Sequence, residues 1–173
     1  VLELRARGKE DANRGGGANI TFSVPEVFLT SSLPQLFVPI IVDGRVNGVD
    51  GTRVVITAEP GREIGNIFTL ERGSAFSAIR NVVFNNYINA VILNGGNSIV
   101  AGCYFGFNTA GTALSGTSVH AVITNSDLNM IGGTTPAARN LITAFHPVFS
   151  ERATIILSGQ FNRVQGNYIG TDS

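Results

Sequence analysis

Residues 90–106 read AVILNGGNSIVAGCYFG, and residues 154–170 read TIILSGQFNRVQGNYIG. Laid one over the other at an offset of 64, without a gap, Ile92, Leu93, Gly95, Val100, Gly102, Tyr104 and Gly106 recur as Ile156, Leu157, Gly159, Val164, Gly166, Tyr168 and Gly170. A third copy, AVITNSDLNMIGG (121–133), matches the first at an offset of 31, with Ala121, Val122, Ile123, Asn125 and Gly133 identical. A second pattern, IRNVVF (79–84) and ARNLIT (138–143), recurs at an offset of 59. The repetition is clearest over residues 67–173 and fades toward the N-terminus, where VPIIVDG (38–44) and RVVITAEPG (53–61) are degenerate copies.

Each unit holds two or three runs of three to five apolar or β-branched residues, divided by Gly, Asn, Ser and Asp, which is the pattern of short strands and turns. The runs are too short for helices, and Gly and Asn interrupt any 3.6-residue period. A repeat near 30 residues built only of short strands predicts a β-solenoid, in which each strand pairs in parallel with its equivalent about 4.8 Å along the axis. Parallel crossovers are nearly always right-handed. The expectation is therefore an all-β, right-handed, single-stranded parallel β-helix of five to six coils, forming one domain over residues 1–173. Equivalent side chains then stack in columns. Ile92/Ile123/Ile156 and Val100/Ile131/Val164 are expected inside, Asn94/Asn125/Ser158 at a polar turn, and Gly102/Gly133/Gly166 at a corner.

Composition narrows the class. Charged residues are 14% of the chain, against about 25% in an ordinary soluble domain, and the formal net charge is zero. No electrostatic case exists for a nucleic-acid or membrane-surface partner. LFVPIIV (36–42) is the longest apolar run and is far short of a membrane span. A single cysteine, Cys103, excludes an internal disulfide framework and a cysteine-based zinc cluster.

NMIGGTTPAARNLI (129–142) followed by FNRVQGNYIGTD (161–172) resembles the right-handed parallel β-helix repeats of large bacterial secreted and surface proteins. The N-terminal LELRARGKEDANRGGGANITF (2–22) is similar to the Leu-Arg-Glu-Ala capping helix that opens such domains, although Ala6 stands where the family has Glu. The resemblance implies a capping segment over residues 1–17, coils over 18–173, and an extracellular or cell-surface location. The chain starts at Val1 with no signal-peptide pattern, so any targeting segment is expected to be either absent or already removed.

Chemical candidates are few. IGGTTPAARN (131–140) lacks the lysine of a phosphate-binding loop and the spacing of a dinucleotide fingerprint, so it reads as a loop thrown out from a coil corner, with Thr135-Pro136 opening a turn of helix. His120 and His146 read as surface-loop histidines. Asp43 and Asp50 read as turn residues, and Asp127 and Asp172 fall at different points of the repeat and so are not expected to share a face, while an insertion could bring Glu151 or Arg152 near another coil. Cys103 aligns with Asn167 in a column read as polar and outward. No catalytic residue, cofactor-binding residue, metal ligand or cofactor is assigned.

Residues 154–172 track 90–108, and no polar cap follows, so a strand edge and the end of an apolar column are expected to be open there. The expected function is a non-catalytic structural module, acting as a rigid spacer, an adhesin stalk or a self-associating unit that stacks end to end. Its self-association edge would comprise Asn167, Tyr168, Ile169 and Asp172. The rival is a polysaccharide-binding or polysaccharide-cleaving β-helix, gripping sugar on a face made of Tyr104, Phe105, Phe107 and Tyr168.

Overall fold

The computed structural model describes residues 17–143 and 153–170. The expected capping segment (save its last residue), His146, Glu151 and Asp172 lie outside the described residues. Strands dominate the rest, in three sheets. The first contains β1 (Ala18–Phe22), β3 (Ile40–Val46), β6 (Ala78–Arg80), β9 (Ile99–Ala101), β12 (Met130–Gly132) and β15 (Arg163–Gln165), in that spatial order. The second runs from β2 (Glu26–Leu29) through β4 (Val54–Ala58), β7 (Val82–Asn85), β10 (Tyr104–Phe105) and β13 (Leu141–Ile142) to β16 (Tyr168–Ile169). The third holds β5 (Ile64–Leu70), β8 (Tyr87–Leu93), β11 (Ser118–Thr124) and β14 (Ile155–Leu157).

All strand pairs are parallel. From β6 to β13 each strand lies beside the strands three before and three after it, so the chain visits the three sheets in rotation, while β3 and β4 pair with β1 and β2, two before. Ahead of β5, Leu36 holds the place of a third-sheet strand. It bridges Leu70, with its N–H on the Thr69 carbonyl and its carbonyl accepting from Glu71 N–H. This is an all-β arrangement of parallel sheets that fits a β-solenoid.

The core is a set of stacked columns. Ile20, Val42, Ile79, Val100, Ile131 and Val164 are successive partners in the first sheet. Val27, Ile56, Phe84, Phe105, Ile142 and Ile169 do the same in the second, where the Phe84 and Phe105 rings stack at 5.1 Å. In the third, Phe68, Val91, Val122 and Ile155 form one inner column and Leu70, Leu93, Thr124 and Leu157 another.

The repeat offsets of 31 and 64 are the true register, since Val91 pairs with Val122 and Val122 with Ile155. The facing of one column is reversed. Ile92, Ile123 and Ile156 are half-buried on the outside of the third sheet, because Val91 and Leu93 on either side of Ile92 point into the core. The offset of 59 is one residue out of register, because Val83, Tyr104 and Leu141 are the actual partners. Asn81 therefore lies level with Gly102, and Asn140 with Cys103.

Corners explain that slip. Asn81 (φ 58°), Gly102 (φ 67°) and Gly166 (φ 69°) each turn the chain out of the first sheet with a left-handed backbone, which Gly and Asn adopt most readily. In the intervening coil the left-handed residue is Gly132 (φ 91°) rather than Gly133. The extra residues of IGGTTPAARN then form a loop with a short 3-10 turn, Pro136–Ala138, before β13. The corner into the first sheet carries left-handed Phe76, Asn97, Leu128 and Phe161. For Phe and Leu this is an unusual backbone.

Candidate functional site

Two surfaces stand out among the described residues: the open last coil and a polar groove over the first sheet. In the last coil, β14, β15 and β16 are edge strands of all three sheets at once. Their core-column side chains Leu157, Val164 and Ile169 are 47%, 39% and 50% exposed. The same columns one or two coils earlier are sealed, with Leu93, Val100, Ile131 and Ile142 at 0%. The last rung of each apolar column thus has a covered upper side and a bare lower one.

Two hydrogen-bond ladders run down to this coil. At the corner into the first sheet, Ile40 N–H donates to Ser77 Oγ (3.0 Å), Ser77 N–H to Ser98 Oγ (3.3 Å), Ser98 N–H to Asn129 Oδ1 (3.0 Å) and Asn129 N–H to Asn162 Oδ1 (2.9 Å). At the corner into the second sheet, Cys103 N–H donates to Asn140 Oδ1 (2.9 Å) and Asn140 N–H to Asn167 Oδ1 (3.1 Å). In these six bonds a corner N–H is satisfied by a side-chain oxygen from the coil that follows, whereas Ala18 N–H meets the Pro39 carbonyl and Val54 lies level with Val82, which has no side-chain oxygen. A buried N–H without a partner is costly, so the inward polar column is a backbone requirement. This corrects the reading of Cys103, which is fully buried in the core rather than outward. Burial pushes its thiol up to about 12.

Asn125 Nδ2 donates to Asn94 Oδ1 (2.9 Å), and Asn94 Nδ2 to Glu71 Oε2 (3.0 Å), so the expected polar turn stack forms on the exterior. The expected sugar-gripping face does not. Phe105 and Phe107 are buried, Phe105 in the inner column of the second sheet. Tyr104 and Tyr168 do face outward in one column, but each is covered by an arginine. The Arg53 guanidinium lies 4.0 Å from the Tyr104 ring centre, and Arg139 lies 5.2 Å from that of Tyr168 while donating to its hydroxyl. Among the described residues the exposed phenylalanines are Phe28, Phe37, Phe76 and Phe161, which the repeat pattern had not singled out.

The groove, of about 780 Å³, lies along the outer face of the first sheet. Ile99, Ala101 and Met130 floor it, and segments 50–53 and 132–138 form its sides. Asp43, paired with Arg80 across β3 and β6, sits at one end. Asp43 is held by Arg45 (2.6 Å) and by Asn81 Nδ2 (3.2 Å), while Arg45 also reaches Asp50 (2.7 Å). The hydrogen bonds from Arg45 hold the Asp43 carboxyl below its ordinary pKa despite its partial burial. A carboxylate so engaged is a weak proton acceptor and stays charged at neutral pH. Arg80 is exposed and has no ion-pair partner among the described residues.

His120 lies within β11, largely buried, with Nδ1 at the Ala153 carbonyl, and so is a strand residue rather than a surface-loop one. Among the described residues, no three His, Cys, Asp or Glu side chains lie together as metal ligands, and no helix is long and apolar enough to cross a membrane. The chain matches no protein-family model, no curated protein and no solved structure.

Proposed function

We propose that this chain is a non-catalytic structural segment of a right-handed, single-stranded β-helix of five to six coils, capped at its N-terminus and extended by further coils at the other end. By the resemblance of its repeats, it would belong to an extracellular or cell-surface protein, where it serves as a rigid spacer or stalk. The observation that carries this reading is the open last coil: three edge strands and three half-exposed core residues, Leu157, Val164 and Ile169, at one end. Covering three such side chains offers several kcal/mol of burial, about 25 cal/mol per Å².

The test is an extended chain in which Gly170 is followed by a second copy of residues 107–170, the continuation that the 64-residue register dictates. Small-angle scattering should report a rod longer by about 10 Å, two coils at the parallel-strand spacing. An appended segment that scatters as an unfolded coil would sink the reading.

A second reading has its own observation, the groove with Arg80, which has no ion-pair partner among the described residues. On that reading the chain binds an acidic polysaccharide along the first sheet, a carboxylate or sulfate meeting Arg80 while the apolar floor accepts a sugar face. Retention of the chain on uronate polymers, lost in Arg80→Ala and at high salt, is the expected result; no retention removes this reading.

A further inference from the structure

One loop carries a reaction of its own. We infer that Asn47 is a modification site, where the Gly48 backbone nitrogen converts the side-chain amide to a carboxylate through a cyclic imide, with water as co-reactant. The chain holds two Asn-Gly pairs, Asn47-Gly48 and Asn94-Gly95, in very different surroundings. The site is independent of both functions proposed above.

Just past β3 the chain reverses through a tight turn. Asn47 (φ 53°) and Gly48 (φ 73°) are both left-handed, and Val49 N–H donates to the Val46 carbonyl (3.1 Å), a turn geometry that favours Asn-Gly at its centre. Both residues are exposed. The Asn47 side chain makes no hydrogen bond among the described residues, and Gly48 N–H reaches the Arg45 carbonyl only at 3.3 Å. Nothing lies within 4 Å of where a side chain on Gly48 would begin. Asn94-Gly95 has none of this freedom. Asn94 Nδ2 donates to Glu71 Oε2 (3.0 Å), and its Oδ1 accepts from Asn125 (2.9 Å). Gly95 is buried, packed against the backbone of Glu71 and Ala75.

The Gly48 nitrogen bonds to Asn47 Cγ and gives up its proton, Nδ2 leaves as ammonia, and an imide ring closes between Cγ and the Asn47 carbonyl carbon. With no Cβ on Gly48, its nitrogen approaches Cγ without a clash. Water then opens the ring. Cleavage between Cγ and nitrogen restores the ordinary main chain with an aspartate at position 47. Cleavage at the carbonyl carbon instead routes the main chain through Cβ and Cγ, as isoaspartate, and lengthens it by a carbon. Either product adds a negative charge two residues from Arg45, which already holds Asp43 and Asp50. The longer main chain also strains a loop whose feet are tied. Thr52 Oγ1 accepts from Val46 N–H (2.9 Å) and donates to the Val49 carbonyl (2.6 Å). Residues 50–53 of that loop are one side of the groove.

Peptide mapping by mass spectrometry tests this, on the whole chain incubated folded in mildly alkaline buffer and, in parallel, unfolded in urea. In urea both Asn-Gly pairs should convert at similar rates, because the surroundings that distinguish them are gone. In the folded chain Asn47 should convert roughly tenfold or more faster than Asn94, whose side chain must first break two hydrogen bonds. The product at position 47 should resolve by chromatography into aspartate and isoaspartate forms. Amide exchange at Val46 and Val49 should be faster in the isoaspartate form than in the unreacted chain, and unchanged exchange there would overturn the effect on the loop. Equal rates at Asn47 and Asn94 in the folded chain, or conversion of Asn47 in urea alone, would overturn the inference.

Discussion

Truncating Asn140 to Ala probes the ladder at its most enclosed rung. Asn140 is fully buried, its Oδ1 accepts from Cys103 N–H, and its Nδ2 donates to the Val100 carbonyl (2.9 Å) and to Asn167 Oδ1 (3.0 Å). Asn140→Ala leaves the Cys103 N–H in the core without an acceptor, at a cost of about 1–3 kcal/mol, and removes two further bonds worth about 1 kcal/mol each. A total of about 3–5 kcal/mol corresponds to a fall in Tm of about 6–20 °C for a chain of this size. Denaturant titration gives the stability change, and amide exchange at Cys103 locates it, since that N–H should be the one most deprotected. Asn162→Ala, on the open coil, should cost much less. A change of under about 0.5 kcal/mol for Asn140→Ala, with Cys103 still protected, would refute the reasoning.

Other perturbations read other parts of the fold. Phe105→Ala removes a ring stacked on Phe84 in the sealed core and should cost about 3–5 kcal/mol in a denaturation experiment; a cost below 1 kcal/mol would place that ring at the surface. Leu128→Asn, at an exposed left-handed corner where the preceding coil has Asn97, should be neutral or stabilising by up to about 1 kcal/mol, and a clear loss would contradict the corner assignment. The Asp43 carboxyl titrates lower in the folded chain than its unfolded value near 4, so its contribution is present above that pH and lost as pH falls through the folded value. Wild type should therefore lose its advantage over Asp43→Asn in acid, and an advantage independent of pH would argue against the Arg45 pairing. Cys103, buried and with its thiol held near 12, should resist iodoacetamide at pH 8 until the chain is unfolded; stoichiometric labelling of the native chain would show the site open.

The register of the coils was legible in the sequence because glycines and apolar residues recur at fixed offsets wherever loops between coils are equal in length. Facing was not always legible. Val91, Ile92 and Leu93 are three apolar residues in succession, and hydropathy cannot say whether one or two of them point inward. The ladders were hidden for a different reason. A column holding Cys103, Asn140 and Asn167 looks polar and hence external, yet it is internal because corner N–H groups need side-chain oxygens. The pairing of Arg-Asn-apolar stretches misled by one residue, since Asn81 serves as a left-handed corner and Asn140 as a buried acceptor. The groove escaped notice because its sides come from residues 50–53 and 132–138, several strands apart, which only the stacking of coils of unequal loop length brings together.

The central claim, an end of the solenoid left open to receive another coil, is tested most directly by residue-resolved hydrogen exchange on the chain as it stands. The account predicts that amides of β9 and β10 are among the slowest to exchange, and that those of β15 and β16 exchange orders of magnitude faster, because their core-column side chains are half exposed. Equal protection of β15 and β16 with β9 and β10 would mean that the end is already covered, and would contradict it.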